Sequence, residues 1–405
     1  MSAARTAAPP RPGAYRALVL STVSFALCFS VWGLVAPLAP QFQALYELSN
    51  TQISVVIATP VILGSLFRIP LGLLTDRLGG RVVFTGLMLF VTIPVLFIGL
   101  LGGSFGGLLV WGFLLGLAGA SFAVGVPFVN KWFPPHMQGL ALGIYGMGNI
   151  GTAIAAYSAP AIAAFYGWQW AFWVFIVPLI AMAAIFWVLG RDAPSTGPRP
   201  SVTAGLALFR QEVMPWVLSL FYFLTFGGFV AMGIYLPKLL VDLFGFTQTG
   251  AGLRAAGFVV LATLSRPVGG WLADRIGGSR TLMVVFLVLP FMALILALEP
   301  GIVLFTIGAL TSAVLFGLGN GAVFKLVAEY YPAKTGAVTG VVGAAGGLGG
   351  FFPPLVLGVV RDATGAYTLG FIFLAIFAVG CLLVNAFFVR GHPSGASAPT
   401  EGRVR

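Results

Sequence analysis

Long apolar stretches, broken at intervals by short polar or glycine-containing turns, run through most of the chain. No formal charge lies between Arg16 and Glu47, between Arg81 and Lys131, or between Trp132 and Gly190. Gly102-Gly103 divides the second of these stretches and Tyr166-Gly167 the third. A helix needs about 20 predominantly apolar residues to cross a bilayer. The pattern predicts twelve such helices, near 17–40, 51–75, 82–101, 104–130, 137–166, 168–190, 213–237, 250–273, 281–298, 302–330, 335–360 and 366–389. Arg5, Arg11 and Arg16 ahead of the first run are also what a secretory leader carries. That run is too long for one and lacks a convincing cleavage site, so a first membrane helix is expected.

Composition narrows the class. Of 405 residues, 59% are hydrophobic and 8% charged, and the mean hydropathy is +1.03. Soluble domains carry roughly 25% charged residues, so no water-facing surface fits this chain. A soluble enzyme, a disulfide scaffold and a disordered chain are excluded together. Cys28 and Cys381 sit far apart in apolar runs and read as small filler. No metal, no cofactor and no catalytic set is expected.

The net charge of +11 would suggest nucleic acid, but the basic residues lie in short loops rather than on one face. No nucleic-acid partner is expected; membrane lipid is the surroundings. On the side of the N-terminus fall Arg5, Arg11, Arg16, Arg77, Arg81, Arg191, Arg199, Arg210, Arg275, Arg280, Lys334, Arg390, Arg403 and Arg405; Lys238, Arg254 and Arg361 fall on the other. The positive-inside rule then puts both termini in the cytoplasm of a multi-pass protein of the plasma (inner) membrane. A stretch rich in Pro and Ser between spans six and seven reads as a linker. The expected organisation is a six-helix bundle over 1–190, a cytoplasmic linker over 191–212, a second bundle over 213–390 and a disordered tail over 391–405.

The halves repeat. Gly72-Leu-Leu-Thr-Asp76-Arg77-Leu-Gly79-Gly80-Arg81 returns as Gly270-Trp-Leu-Ala-Asp274-Arg275-Ile-Gly277-Gly278-Ser-Arg280. The offset is 198 from Arg68/Arg266 to Gly80/Gly278 and at Phe133/Tyr331; it is 197 from Gly139/Gly336 through Gly143/Gly340 to Gly146/Gly343. Asp76 and Asp274, at helix ends, can pair with the loop arginines or cap a helix of the other half. A plain turn with solvated charges is the simpler alternative.

Arg68 and Arg266 each precede their loop aspartate by eight residues. That is roughly 12 Å along a helix at 1.5 Å per residue, which brings both guanidiniums near the middle of a ~30 Å hydrocarbon core. A charge there costs about 2.5–3.5 kcal/mol even on the lenient insertion scale. Glu47, Asp242 and Glu299 lie at outer ends, and Lys325 stands one turn from Glu329, placed to neutralise it. No carboxylate is left for the arginines, so the simplest counter-ion is the substrate. Snorkelling or a bond to a backbone carbonyl is the other way to hold such an arginine.

Span eleven carries Gly336, Gly340, Gly343, Gly347 and Gly350 on one face; span five carries Gly139, Gly143 and Gly146, then Gly148, Asn149 and Gly151. Glycine faces let membrane helices approach closely, as a sliding contact or a static packing stripe. A narrow site with two forked donors suits a small planar oxyanion.

The doubled G-x-x-x-D-R-x-G loop in a six-plus-six chain resembles the major facilitator superfamily. Gly-Met-Gly-Asn-Ile-Gly at 146–151 and Gly-Ala-Ala-Gly-Gly-Leu-Gly-Gly-Phe-Phe at 343–352 are similar to signatures of its nitrate/nitrite porter family. The resemblance implies an all-α membrane protein of two pseudo-symmetric six-helix bundles with substrate near the bilayer midplane. It implies that Arg68 and Arg266 hold nitrate or nitrite, that Asn149 donates a hydrogen bond, and that Phe122, Tyr222 and Phe226 wall the site. Gly143, Gly146, Gly148, Gly340, Gly343, Gly346 and Gly347 would serve gating or helix sliding, and Asp76, Arg77, Arg81, Asp274, Arg275 and Arg280 the contact between bundles. Lys131 and Glu329, related by the repeat, could form a gate pair with Lys325 nearby, or simply be solvated end charges.

The expected activity is nitrate/nitrite exchange by alternating access, working as a monomer in nitrate assimilation. Two like charges in low dielectric repel, so closure without an anion is disfavoured. Proton-coupled symport, with a proton entering at Glu329 or His136, is the alternative. A carboxylate carrier would pair the span-eight arginine with a lysine in span eleven, which has none. A drug exporter would want a buried carboxylate, a receptor an added soluble domain, and an enzyme more than His136 and His392 at loop ends.

Overall fold

A computed structural model describes residues 8–194, 210–364 and 366–389. The tail expected over 391–405, the terminal Arg5 and most of the linker lie outside the described residues. All regular structure among the described residues is helical, with no strand. Twelve helices among them are long and apolar enough to span a membrane: α1 (Ala14–Leu45), α2 (Val55–Leu78), α3 (Gly80–Leu101), α4 (Phe105–Asn130), α5 (Pro135–Tyr166), α6 (Trp168–Leu189), α7 (Met214–Pro237), α8 (Gly250–Ile276), α9 (Gly278–Ala297), α10 (Ile302–Tyr330), α11 (Thr335–Phe352) and α12 (Thr368–Phe387). Each overlaps its predicted span, with ends moved by a few residues.

The turns follow from local chemistry. Gly79 and Gly277, repeat mates, have φ of 89° and 94°. A side chain is strained there, so glycine is what lets α2 run straight into α3 and α8 into α9. Ser49 caps the helix that begins at Asn50 in a reciprocal capping box with Gln52, which satisfies otherwise orphaned N–H groups.

Burial sorts the spans into layers. In the most apolar window of α4, of α7 and of α11, 72% of residues are buried, against 33% in α6 and 28% in α12. The first group forms the centre and the second faces lipid. Exposed aromatic rings within spans, such as Phe90 (41%) and Phe373 (51%), suit hydrocarbon better than water.

The halves differ in regularity. In the first, α2 breaks at Phe67 between Asn50–Leu66 and Arg68–Leu78, α4 tightens to a 3-10 turn over Gly116–Ala120, and α5 does so over Met147–Asn149. Their counterparts in the second half run unbroken over Gln248–Ile276, Ile302–Tyr330 and Thr335–Thr364. The breaks fall beside Arg68, Phe122 and Asn149, at one level of the molecule.

At one end the halves are locked together. Asp274 accepts from the backbone N–H of Gly139 (2.9 Å) and Leu140 (2.8 Å), and Asp76 accepts from Ala337 N–H (3.1 Å). Each aspartate thus caps a helix of the opposite half, where the positive end of the dipole favours a carboxylate. Arg81 instead donates to the Trp187 carbonyl (2.8 Å) and lies over its ring, and Arg275 lies over Trp271. Arg77 and Arg280 are exposed. The N-terminal segment joins this end: Arg11 N–H donates to Trp132 O (3.2 Å), and its guanidinium to Pro194 O (2.9 Å). Tyr331 donates to Glu212 (2.7 Å). Burial, then that hydrogen bond and the carboxylate's charge, raise the Tyr331 phenol above its ordinary range, so it stays a donor at neutral pH.

Candidate functional site

Arg68 and Arg266 are 1% and 2% exposed, so both side chains are enclosed by protein. They share the same two rings. The Arg68 guanidinium carbon lies 5.9 Å from the Phe122 ring centre and 5.3 Å from that of Phe226; for Arg266 the distances are 5.5 and 5.9 Å. Tyr222 stacks on Phe226 at 4.9 Å and on Phe122 at 6.2 Å, each pair tilted by 11°. The negative faces of such rings attract cations, more so without water. The structure therefore brings together the five side chains Arg68, Arg266, Phe122, Tyr222 and Phe226.

Among the described residues neither arginine has an acidic partner. The capping aspartates pair with lysines, Asp76 with Lys131 (3.8 Å) and Asp274 with Lys325 (3.1 Å). This corrects the expectation that Lys325 neutralises Glu329. The lysine turns instead to the helix-capping aspartate on α8 and also donates to the Pro135 carbonyl of the other half. Lys131 likewise finds Asp76 rather than Glu329. An aspartate already buried by capping a helix is the more demanding counter-ion.

The two arginines are not equally bonded. Arg68 Nε donates to Gly119 O (3.2 Å) and Nη1 to Gly343 O (2.6 Å). The first carbonyl lies in the 3-10 turn of α4, the second on α11 across the midline. The backbone-carbonyl alternative thus holds for Arg68; it satisfies N–H groups and leaves the charge. Arg266 has only the Tyr222 hydroxyl, at 3.5 Å from Nη2, while its Nε and Nη1 have no hydrogen-bond partner. Buried unpaired donors are costly, charged ones most of all. Arg266 thus has donors to spare where Arg68 has spent two of its nitrogens.

Asn149 is 1% exposed. Its amide nitrogen donates to Gly146 O (2.7 Å) and its carbonyl oxygen is unpartnered. One N–H thus serves its own helix.

The glycines divide by what they make room for. A Cβ on Gly143 would lie 2.6 Å from Arg266 O, and one on Gly340 2.6 Å from Arg68 O. These two let helix backbones of opposite halves touch. A Cβ on Gly146 would strike the Arg266 guanidinium, and one on Gly343 would press on Arg68 Cδ at 3.0 Å. Gly148 and Gly346 make room for Phe25 and Tyr222 of their own halves, and Gly347 for Ser65 of the opposite half.

Two residues went unremarked in the sequence. Phe324 meets Phe122 and Tyr222 edge-on, each at 4.7 Å. Tyr145 donates to Ser121 O (2.9 Å) and stacks on Phe122 at 5.7 Å, holding the ring that both arginines face. Nothing distinguishes either among 36 Phe and 10 Tyr until the helices are packed.

The twelve spans and the paired buried cations between the halves fit a membrane transporter, and comparison with known proteins shows that class. The chain belongs to the major facilitator superfamily, whose family model (Major Facilitator Superfamily) matches residues 20–354 and 239–404. The finer resemblance is also borne out. The chain is 45% identical over 368 residues to the nitrite extrusion protein of Bacillus subtilis, covering 91% of this chain and 92% of that one. It is 42% identical to the probable nitrate transporter NarT of Staphylococcus epidermidis (90% and 94% covered) and 41% to that of Staphylococcus aureus (93% and 95%). Among solved structures it is similar in fold to the human organic anion transporter MFSD10 (TETRAN), with TM-score 0.79, 16% identity and coverage of 93% and 100%. It is similar too to FucP in the outward conformation, with TM-score 0.72, 18% identity and coverage of 92% and 99%.

Proposed function

We propose that this protein carries nitrate and nitrite across the plasma membrane, exchanging one for the other by alternating access. The end locked by Asp76 and Asp274 would be cytoplasmic, with both termini, and residues 1–190 would rock against 213–390. The observation that carries this reading is the arginine pair: two buried guanidiniums on the same rings, no carboxylate beside them among the described residues, and two guanidinium nitrogens of Arg266 without a hydrogen-bond partner. A small planar oxyanion supplies acceptors in the geometry that guanidinium prefers. The names of the relatives support nitrate and nitrite as those anions.

Exchange follows from electrostatics. The anion offsets the repulsion between two cations in low dielectric, so the loaded site closes and the unloaded one resists. Asp274 and Lys325 are already engaged with each other at the locked end, which leaves the site itself without a proton-accepting carboxylate among the described residues. All the named groups come from one chain, so a monomer suffices. Gly143 and Gly340 would be the points where the halves slide; Asp76, Asp274, Lys131 and Lys325 would latch the inner gate.

The test is a competition panel in proteoliposomes holding the purified protein. Nitrate and nitrite should each suppress labelled nitrate entry strongly, and chloride, formate and oxalate weakly. Suppression by oxalate equal to that by nitrate would point to a carboxylate carrier instead.

A further inference from the structure

Asn320 lies in the second half of α10. It is 1% exposed, its carbonyl oxygen has no hydrogen-bond partner, and no bond from its amide nitrogen is present among the described residues. A buried amide left unpaired is costly, and its position says what it waits for.

Its neighbours on α10 orient it. Gly317 and Gly321 lie against α8, at the backbone of Ala262 and Arg266; Gly319 lies against Thr225 of α7. Phe324, one turn further on, meets Phe122 and Tyr222. Residues four apart share a helix face, so Asn320 looks out beside Phe324, between the side turned to α8 and the side turned to α7. That is the gap which the Arg266 to Tyr222 contact crosses. The repeat agrees: Asn320 stands 198 residues after Phe122, whose ring lies under both guanidiniums.

We infer that Asn320 is a substrate-contacting residue that discriminates nitrate from nitrite. The inference rests on the nitrate/nitrite reading above. Two guanidinium edges can satisfy the two oxygens of nitrite. Nitrate has a third oxygen, which when buried needs a further donor. The Asn149 amide has one N–H spent on Gly146 O and one left, whereas both N–H groups of Asn320 are uncommitted among the described residues. A half-turn about the side chain's last bond brings either end of the amide to the anion.

The experiment compares Asn320→Leu, which keeps the branched shape and has no donor, with the wild type in proteoliposomes, reading half-saturating concentrations for nitrate and for nitrite. Asn320→Ala is the second variant, should the leucine protein fail to elute as a single species. The nitrate value should rise about tenfold or more, as loss of a hydrogen bond to a charged group implies, while the nitrite value changes less than about threefold. An equal rise for both anions, or no change in either, overturns the inference, since a merely structural role moves both together. A wild-type protein that transports neither anion would instead overturn the parent reading.

Discussion

Arg68 and Arg266 are equivalent in the repeat and unequal in their bonds, and the cause is local. The 3-10 turn of α4 turns Gly119 O toward Arg68, whereas its counterpart in α10 is unbroken helix whose carbonyls are spent within the helix. Arg68 is therefore anchored and Arg266 is held ready. Lysine at 266 would keep the charge and lose the fork. Charge-assisted hydrogen bonds contribute about 1.5–3 kcal/mol each, so Arg266→Lys should raise the half-saturating nitrate concentration by about tenfold to a hundredfold in uptake titrations. Near-normal titration would show that the fork is not used. Tyr145→Phe should act through Phe122: loss of the bond to Ser121 O frees the ring, and uptake should fall modestly, by about threefold to tenfold for roughly 1 kcal/mol. Measurement of uptake alongside thermal unfolding separates this from a general loss of stability.

At the scale of elements, the contact between halves rests on glycine–backbone touches and on two capped helix ends. Gly143→Ala and Gly340→Ala must push α5 off α8 and α11 off α2, because the atoms in the way are backbone. Each should loosen the locked end and slow exchange, read as faster labelling of a cysteine placed beside Asn130. Gly86→Ala, with nothing within 4 Å, should behave as wild type. The two capping aspartates are equally buried, each side chain 5% exposed, and differ in their lysines. Lys325 and Asp274 have side chains 8% and 5% exposed, whereas Lys131 beside Asp76 is 37% exposed. Removal of one partner of a buried pair costs about 3–5 kcal/mol, and an exposed pair contributes about 0–1 kcal/mol. Asp274→Asn should thus lower the unfolding temperature clearly more than Asp76→Asn does; equal losses would mean that capping, common to both, outweighs the ion pair.

For the whole molecule, the apolar runs and the repeat made the fold legible, because lipid permits only one solution for a long charge-free stretch, a helix with its backbone bonds closed internally. The arginine pair was legible for the same reason: two charges in such stretches stand out. What was not legible depended on packing. Lys325 lies one turn from Glu329 in sequence yet meets Asp274 on another helix. The breaks at Phe67, Gly116–Ala120 and Met147–Asn149 leave no mark in a hydrophobic pattern, although they decide which carbonyls are free. The central claim is that two guanidiniums without a carboxylate need an anion to close upon. Its most direct measurement is nitrate entry into proteoliposomes with and without nitrite inside, at matched pH and then under an imposed proton gradient. Entry should be fast only with internal anion and indifferent to the gradient. Fast entry into anion-free vesicles, driven by the gradient, would contradict the account.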